Sequence, residues 1–297
     1  MTLADENRWN VRGRVCLVTG ATSGHGRAVA MGLARLGAEV VLLGRNAERC
    51  RRVQGEIAEL SGGKAPAVLL CDLASRREID RAADEYLDSG RPLHVLVNNA
   101  GLVSLARRES ADGVELTFAV NYLAMFQLTL RLLPRLLESA PARIVNVSSD
   151  THRIVRLDLD DLELRSRYGM MRAYGRSKLA IVHFTRELAR RLEGTAGVTC
   201  NAVDPGPVAS GIGSDNPGLA YRLVGPMIRA LFPSPERAAR LAIELAASDA
   251  LAAKSGGYWR FGKLRDPSTG RDPSLPARLW ERSEALTGAR FTARRGE

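Results

Sequence analysis

The apolar positions of this chain switch repeatedly between short continuous runs and helix-spaced stripes. Val15-Cys16-Leu17-Val18 is an unbroken apolar run that stops at Thr19-Gly20. Ala28, Val29, Leu33 and Leu36 then recur at helical spacing, and Gly37 closes the stripe. A second run, 40–43, ends in Gly44-Arg45-Asn46. The pattern predicts strand, glycine turn, helix, strand. It continues with a helix over 47–63, a strand over 67–71, a charged helix over 76–88 and a strand over 93–97. A long helix follows at about 112–138, then a strand over 144–147 and a helix over 173–192. A strand over 198–203, a helix over 235–247 and a seventh strand over 257–261 complete it. Strands alternating with helices imply an α/β fold with a doubly wound parallel sheet of about seven strands. No linker or repeat divides residues 1–297, so the chain reads as one Rossmann-like domain. Its core spans about 12–262, with 263–297 as a C-terminal extension.

Composition narrows the class without changing the fold. Hydrophobic residues make up 45% and charged residues 26%, which is globular rather than disordered. The net charge of +10 is carried almost wholly by Arg, spread along the chain and interleaved with acids. A nucleic-acid footprint would cluster on one element, so no nucleic-acid partner is expected. No apolar run is expected to reach the roughly 20 residues that cross a bilayer, so no integral membrane segment is predicted. Residues 1–14 lack an apolar signal core, and the expected location is cytoplasmic. Cys16, Cys50, Cys71 and Cys200 are scattered without metal spacing; buried free thiols are expected, and no metal.

The candidate chemistry lies just after the strands, where open α/β sheets bind ligands. Thr19-Gly20-Ala21-Thr22-Ser23-Gly24-His25-Gly26 opens the first crossover. Gly20 suits a tight turn, Gly24 lets backbone approach a phosphate, and Gly26 lets helix and strand pack closely. NAD-binding folds usually place an acid after the second strand; here Gly44-Arg45 stands instead. No carboxylate repels a 2′-phosphate there and a guanidinium can pair with one, so NADP(H) is preferred over NAD(H). Asp72 could meet an adenine amino group or cap the next helix. Tyr174 and Lys178 are spaced i, i+4, which places them on one helical face. A cation there lowers the phenol pKa and equips the pair for proton exchange. Asp150 and His152 flank Ser149, but no GxSxG elbow surrounds that serine, which argues against a hydrolase.

These motifs, in this order, resemble the short-chain dehydrogenase/reductase family over about residues 12–262. The likeness rests on Thr19-Gly20-x-x-x-Gly24-x-Gly26, Asn98-Asn99-Ala100-Gly101, Asn121, Ser149, Tyr174-x-x-x-Lys178 and Pro205-Gly206. A narrower likeness, to the retinol-dehydrogenase-like branch and its bacterial carbonyl reductases, rests on residues 143–149, 174–180 and 278–281. The resemblance implies Tyr174 as proton donor to a carbonyl oxygen, or acceptor from an alcohol. Lys178 would lower the Tyr174 pKa and bond the nicotinamide ribose. Ser149 would hold the substrate oxygen, with Ser148 structural. Asn121 would hold a water that links Lys178 to solvent. The expected dinucleotide contacts are Thr19, Gly20, Ser23, Gly24, His25, Gly26, Arg45, Asp72, Leu73, Asn98, Ala100, Gly101, Tyr174, Lys178, Pro205, Gly206 and Val208. Ser149 and Tyr174 are the expected substrate contacts.

The expected activity is NADPH-dependent reduction of a lipophilic or polycyclic ketone or aldehyde. Alcohol oxidation is the alternative, and a non-catalytic NADP(H) sensor the non-enzymatic one. Substrate selectivity is expected from 150–171 and from an apolar lid over 208–232. The long helices at 112–138 and 173–192 could pair across a two-fold axis as a homodimer, or the basic tail after Leu264 could instead cover an interface or the site.

Overall fold

In this computed structural model the described residues are 9–195, 197–207, 233–267 and 272–292. The expected lid over 208–232, with Val208, lies outside them. Eight strands form one sheet in the order β3-β2-β1-β4-β5-β6-β7-β8. They are β1 (Val15–Thr19), β2 (Glu39–Gly44), β3 (Ala67–Leu70), β4 (Val95–Asn98), β5 (Ala142–Val147), β6 (Val198–Asp204), β7 (Tyr258–Arg260) and β8 (Lys263–Arg265). The first seven pair in parallel, and β8 turns back antiparallel on β7. The expected count of about seven omits β8, because Lys263-Leu264-Arg265 is a three-residue exposed edge with no apolar run to betray it.

The central strands are buried on both faces, which is why they read as continuous apolar runs rather than alternating ones. One face is covered by α1 (Gly24–Arg35), α2 (Ala47–Leu60) and α6 (Pro235–Ala247). The other is covered by α3 (Arg76–Asp88), α4 (Leu116–Glu138) and α5 (Met170–Arg191). The C-terminal helix α7 (Leu275–Thr287) packs outside α5. Trp280 of α7 is 5.0 Å from Phe126 and stacks on Phe184 at 5.5 Å, and Arg191 lies over its ring.

Helix α4 corrects one expectation. Its 23 residues are long and apolar enough to cross a membrane, yet 94% of its most apolar window is buried inside the fold. Residues 116–130 are apolar or buried all round because sheet, α3, α5 and α7 enclose them, while Arg131, Arg135 and Glu138 mark a partly exposed face in the last turns of the helix. Its second turn is a π-helical turn, Ala119–Leu123. The four thiols are free and buried, as their surroundings predict.

Candidate active site

Parallel pairing from β3 to β7 brings the carboxyl ends of those strands to one edge. The sheet order reverses between β1 and β4, and the glycine turn lies at that switch point. Gly20 and Gly24 adopt positive φ, as a tight turn there requires. A Cβ on Gly26 would lie 2.2 Å from Asn99 Nδ2 and 2.3 Å from the Gly20 oxygen, so only glycine fits. Ser23 precedes α1 without a side-chain cap, and the first turn carries no acid. The amides at that helix start therefore suit an anion. Arg45 is exposed at the end of β2, beside the Asn46 cap of α2.

The paired asparagines divide their work. Asn98 turns into the core and donates to Thr129 Oγ1 and Asn146 Oδ1, both at 2.9 Å. Its side chain is therefore committed away from the glycine turn, and position 98 can meet a dinucleotide only through backbone. Asn99, absent from the expected contacts, faces the turn instead and donates to the Thr19 carbonyl at 2.8 Å. Its Oδ1 lies 2.8 Å from His25 Nδ1. His25 is buried, and burial keeps its pKa below the usual imidazole range. Thr19 Oγ1 accepts from the amides of Asn99 and Ala100 and so locks β1 to the β4 end. Asp72 and Leu73 lie just past β3, after Cys71. Asp72 accepts from the Ala74 amide, while Ser75 caps α3, so capping is not the role of Asp72.

Tyr174 and Lys178 occupy one face of α5, with the ammonium 5.4 Å from the ring centroid. Lys178 is buried and donates to the Val147 carbonyl at 2.9 Å. Ser148 is buried and donates to the Lys178 carbonyl at 3.0 Å. Ser149, one residue on, faces the other way, and its hydroxyl is close enough to the Tyr174 phenol to draw that pKa down. Gly175 makes this approach possible, since a Cβ there would lie 2.9 Å from the Thr151 oxygen in the turn after Ser149. Asn121 lies on the π turn. Its Nδ2 donates to Leu102 O and Ser177 Oγ at 3.0 Å each, and its Oδ1 accepts from the Leu102 amide at 2.7 Å. The side chain thus braces α4, the β4 loop and α5 around Lys178.

Electrostatics differ from the expectation on one point. Burial pushes the Tyr174 phenol up to about 12; the Asp204 charge adds to this and the Ser149 hydroxyl opposes it. Lys178 is itself pushed down to about 8 by burial, against the pull of Asp204. Desolvation therefore outweighs any lowering of Tyr174 by its lysine in the protein alone. His152 is no hydrolytic base: Nδ1 meets the Ser149 carbonyl oxygen, not its hydroxyl, and Nε2 meets the Pro267 carbonyl.

A family model described as short chain dehydrogenase matches residues 14–217. The chain belongs to the short-chain dehydrogenase/reductase family. It is an oxidoreductase acting on CH–OH groups. It is 37% identical to human retinol dehydrogenase 13 over 284 residues, covering 94% of this chain and 86% of that one. Mouse polyprenol dehydrogenase is 38% identical over 291 residues, covering 93% and 84%. The solved RhlG/NADP active-site complex of Pseudomonas aeruginosa is 32% identical, with a TM-score of 0.65 over 85% of this chain and 96% of that one.

The family's members use NAD(P)(H), and the residues around the glycine turn fit that group. Close packing at Gly26, the positive-φ glycines and the uncapped start of α1 leave backbone amides for a pyrophosphate. Pro205 and Gly206 turn beside Ser149, and Gly101 faces Lys178, where a Cβ would lie 3.6 Å from Nζ. Asp204 escapes motif reading in this dehydrogenase/reductase, and Asn99, although inside the Asn98–Gly101 motif, is not legible as the partner of the glycine turn. A side chain that turns back on the loop gives no periodic signal.

Proposed function

We propose that the protein is an NADPH-dependent reductase of lipophilic ketones or aldehydes. The observation that carries this reading is the placement of buried Lys178 5.4 Å from the Tyr174 ring, at the end of the strand that leads into Ser149. When bound, the nicotinamide supplies the hydride. Ser149 and Tyr174 hold the substrate oxygen between their hydroxyls, where negative charge develops. Tyr174 gives that oxygen its proton, and burial favours the neutral, proton-donating phenol at physiological pH. Lys178 holds positive charge beside the developing phenolate. Arg45 and the lack of an acid after β2 support NADPH over NADH. The named lipid alcohols of the retinol and polyprenol relatives support a lipophilic substrate. Those same names favour the oxidative direction as a second reading.

The test mixes purified protein with NADPH and a panel of aliphatic, polycyclic and isoprenoid aldehydes and ketones, and follows loss of reduced-nicotinamide absorbance. Turnover is expected, with Tyr174→Phe lowering kcat by about 10²–10⁴-fold while NADPH still binds. Wild-type activity in Tyr174→Phe overturns the mechanism. Oxidation of the matching alcohols with NADP⁺, without carbonyl reduction, reverses the direction.

A further inference from the structure

Asp204 is a buried charge that the proton-transfer scheme does not use. It ends β6 and is 2% exposed. Its carboxylate gathers partners from three segments. Oδ1 accepts from the Gly206 amide at 2.8 Å. Oδ2 accepts from the Asp150 amide at 3.0 Å and from the Tyr258 hydroxyl at 3.3 Å. Arg260 Nε lies 2.9 Å from the same oxygen. Arg260 also donates to Asp150 Oδ2 at 2.8 Å, and Arg153 to Asp150 Oδ1 at 2.7 Å. Asp150 adjoins Ser149, and Gly206 belongs to the Pro205–Gly206 turn. One carboxylate therefore ties the ends of β5, β6 and β7 together beneath the reacting groups.

We propose that Asp204 is a positioning residue of the proton-transfer site, which fixes the Ser149 turn against the Pro205–Gly206 turn and sets the negative field facing Lys178 and Tyr174. The proposal rests on the reading of Tyr174 and Lys178 as the proton-transfer pair. A buried ammonium is costly without a counter-charge, and in a low-dielectric interior a nearby carboxylate acts strongly. The titratable and charged groups around Lys178 are Tyr174 on its own helix, His25 of α1, and Asp204 of β6. Asp150, Tyr258 and Arg260 face Asp204 from the turn after β5 and from β7. The signs are definite. Removing the Asp204 charge lets Lys178 and Tyr174 both fall. Removing Arg260 leaves the carboxylate less neutralised, and both rise.

The experiment uses isotope-labelled lysine side chains and NMR titration of the cofactor-free protein. Only Lys64, Lys178, Lys254 and Lys263 contribute, and Lys178→Arg identifies the signal of interest. Wild-type Lys178 is expected to titrate near 8, as its burial requires. Asp204→Asn should lower that midpoint by about one pH unit, and Arg260→Met should raise it by roughly half a unit. The alkaline limb of NADPH-dependent carbonyl reduction should move in the same two directions. A merely structural Asp204 lowers kcat at every pH and moves neither midpoint, and that result overturns the proposal. If Asp204→Asn does not fold, Arg260→Met decides alone: an upward midpoint supports the proposal and an unmoved one refutes it. If wild type reduces no carbonyl, the functional reading fails while the lysine midpoints still judge Asp204.

Discussion

His25 donates from Nδ1 to Asn99 Oδ1 across 2.8 Å, directly beneath the glycine turn. The direction is fixed because Asn99 spends its Nδ2 on the Thr19 carbonyl, which leaves Oδ1 as the acceptor. Burial keeps the imidazole neutral, so the base of the turn is a polar lock without added charge. Gly26 lies against the same amide.

Gly26→Ala should therefore break the lock. Its Cβ would collide with Asn99 Nδ2 at 2.2 Å and with the Gly20 oxygen at 2.3 Å. The expected results are a loss of about 1–3 kcal/mol of stability, from overpacking, and an NADPH affinity down by about tenfold or more. Denaturant melts and a fluorescence titration measure both. Wild-type values in each would show that the turn can relax.

Arg45→Ala tests cofactor choice. A charge-assisted contact to the 2′-phosphate is worth about 1.5–3 kcal/mol, so NADPH affinity should fall by roughly 10–100-fold. NADH affinity should change by less than about twofold, since it offers no phosphate there. Equal losses for the two cofactors would remove Arg45 from the assignment.

Trp280→Ala probes the C-terminal helix. The ring contacts Phe126, Phe184, Phe291 and the Arg191 guanidinium, and it is 1% exposed. A loss of about 3–5 kcal/mol is expected from a large-to-small change at such a site. Ser283→Ala removes the 2.7 Å bond to the Tyr122 hydroxyl and should cost about 1 kcal/mol. Tyr122 neighbours Asn121 on the π turn, so kcat should fall in Ser283→Ala while the KM for NADPH holds. Chemical denaturation and steady-state kinetics separate the two effects.

His183 gives an acid-stability prediction. It is buried in α5, both ring nitrogens lack partners among the described residues, and burial pushes its pKa from 6.5 down to about 4. Because the folded value lies below the unfolded one, its share of stability is complete above about pH 6.5 and fades as pH falls towards 4. The loss is at most about 3.5 kcal/mol, taking one pKa unit as about 1.4 kcal/mol. His183→Leu should flatten the stability profile between those two pH values. An unchanged slope would assign the acid loss to other groups.

The parallel sheet was legible because its buried strands are written as short apolar runs closed by glycine, proline or asparagine. Tyr174, Lys178, Ser149 and Asn121 were legible through spacing and order, and the structure brings them into one cluster. What stayed hidden depends on contacts between distant residues. Asn98 and Asn99 are adjacent and identical in type, and only the pleat of β4 sends one into the core and the other to the glycine turn. Asp204 reads as the start of a turn, since its partners Asp150, Tyr258 and Arg260 are more than fifty positions away. Strand β8 is too short and too charged to carry a period. The raised Tyr174 pKa was missed because a sequence shows the neighbouring cation but not the depth of burial.

The packing of α7 bears on the order in which this protein can be completed during synthesis. Phe126 and Phe184 lie far upstream of Trp280, and Tyr122 is 161 positions from Ser283. Until α7 has emerged, α4 and α5 present uncovered aromatic rings where Trp280 will settle. Contacts of such sequence separation form late, and the exposed intermediate is the form most open to chaperones or to association with its own kind. Residues 275–292 thus act as a closing clasp: a nascent chain that has not reached them already carries Tyr174 and Lys178 and still has a wet, adhesive flank.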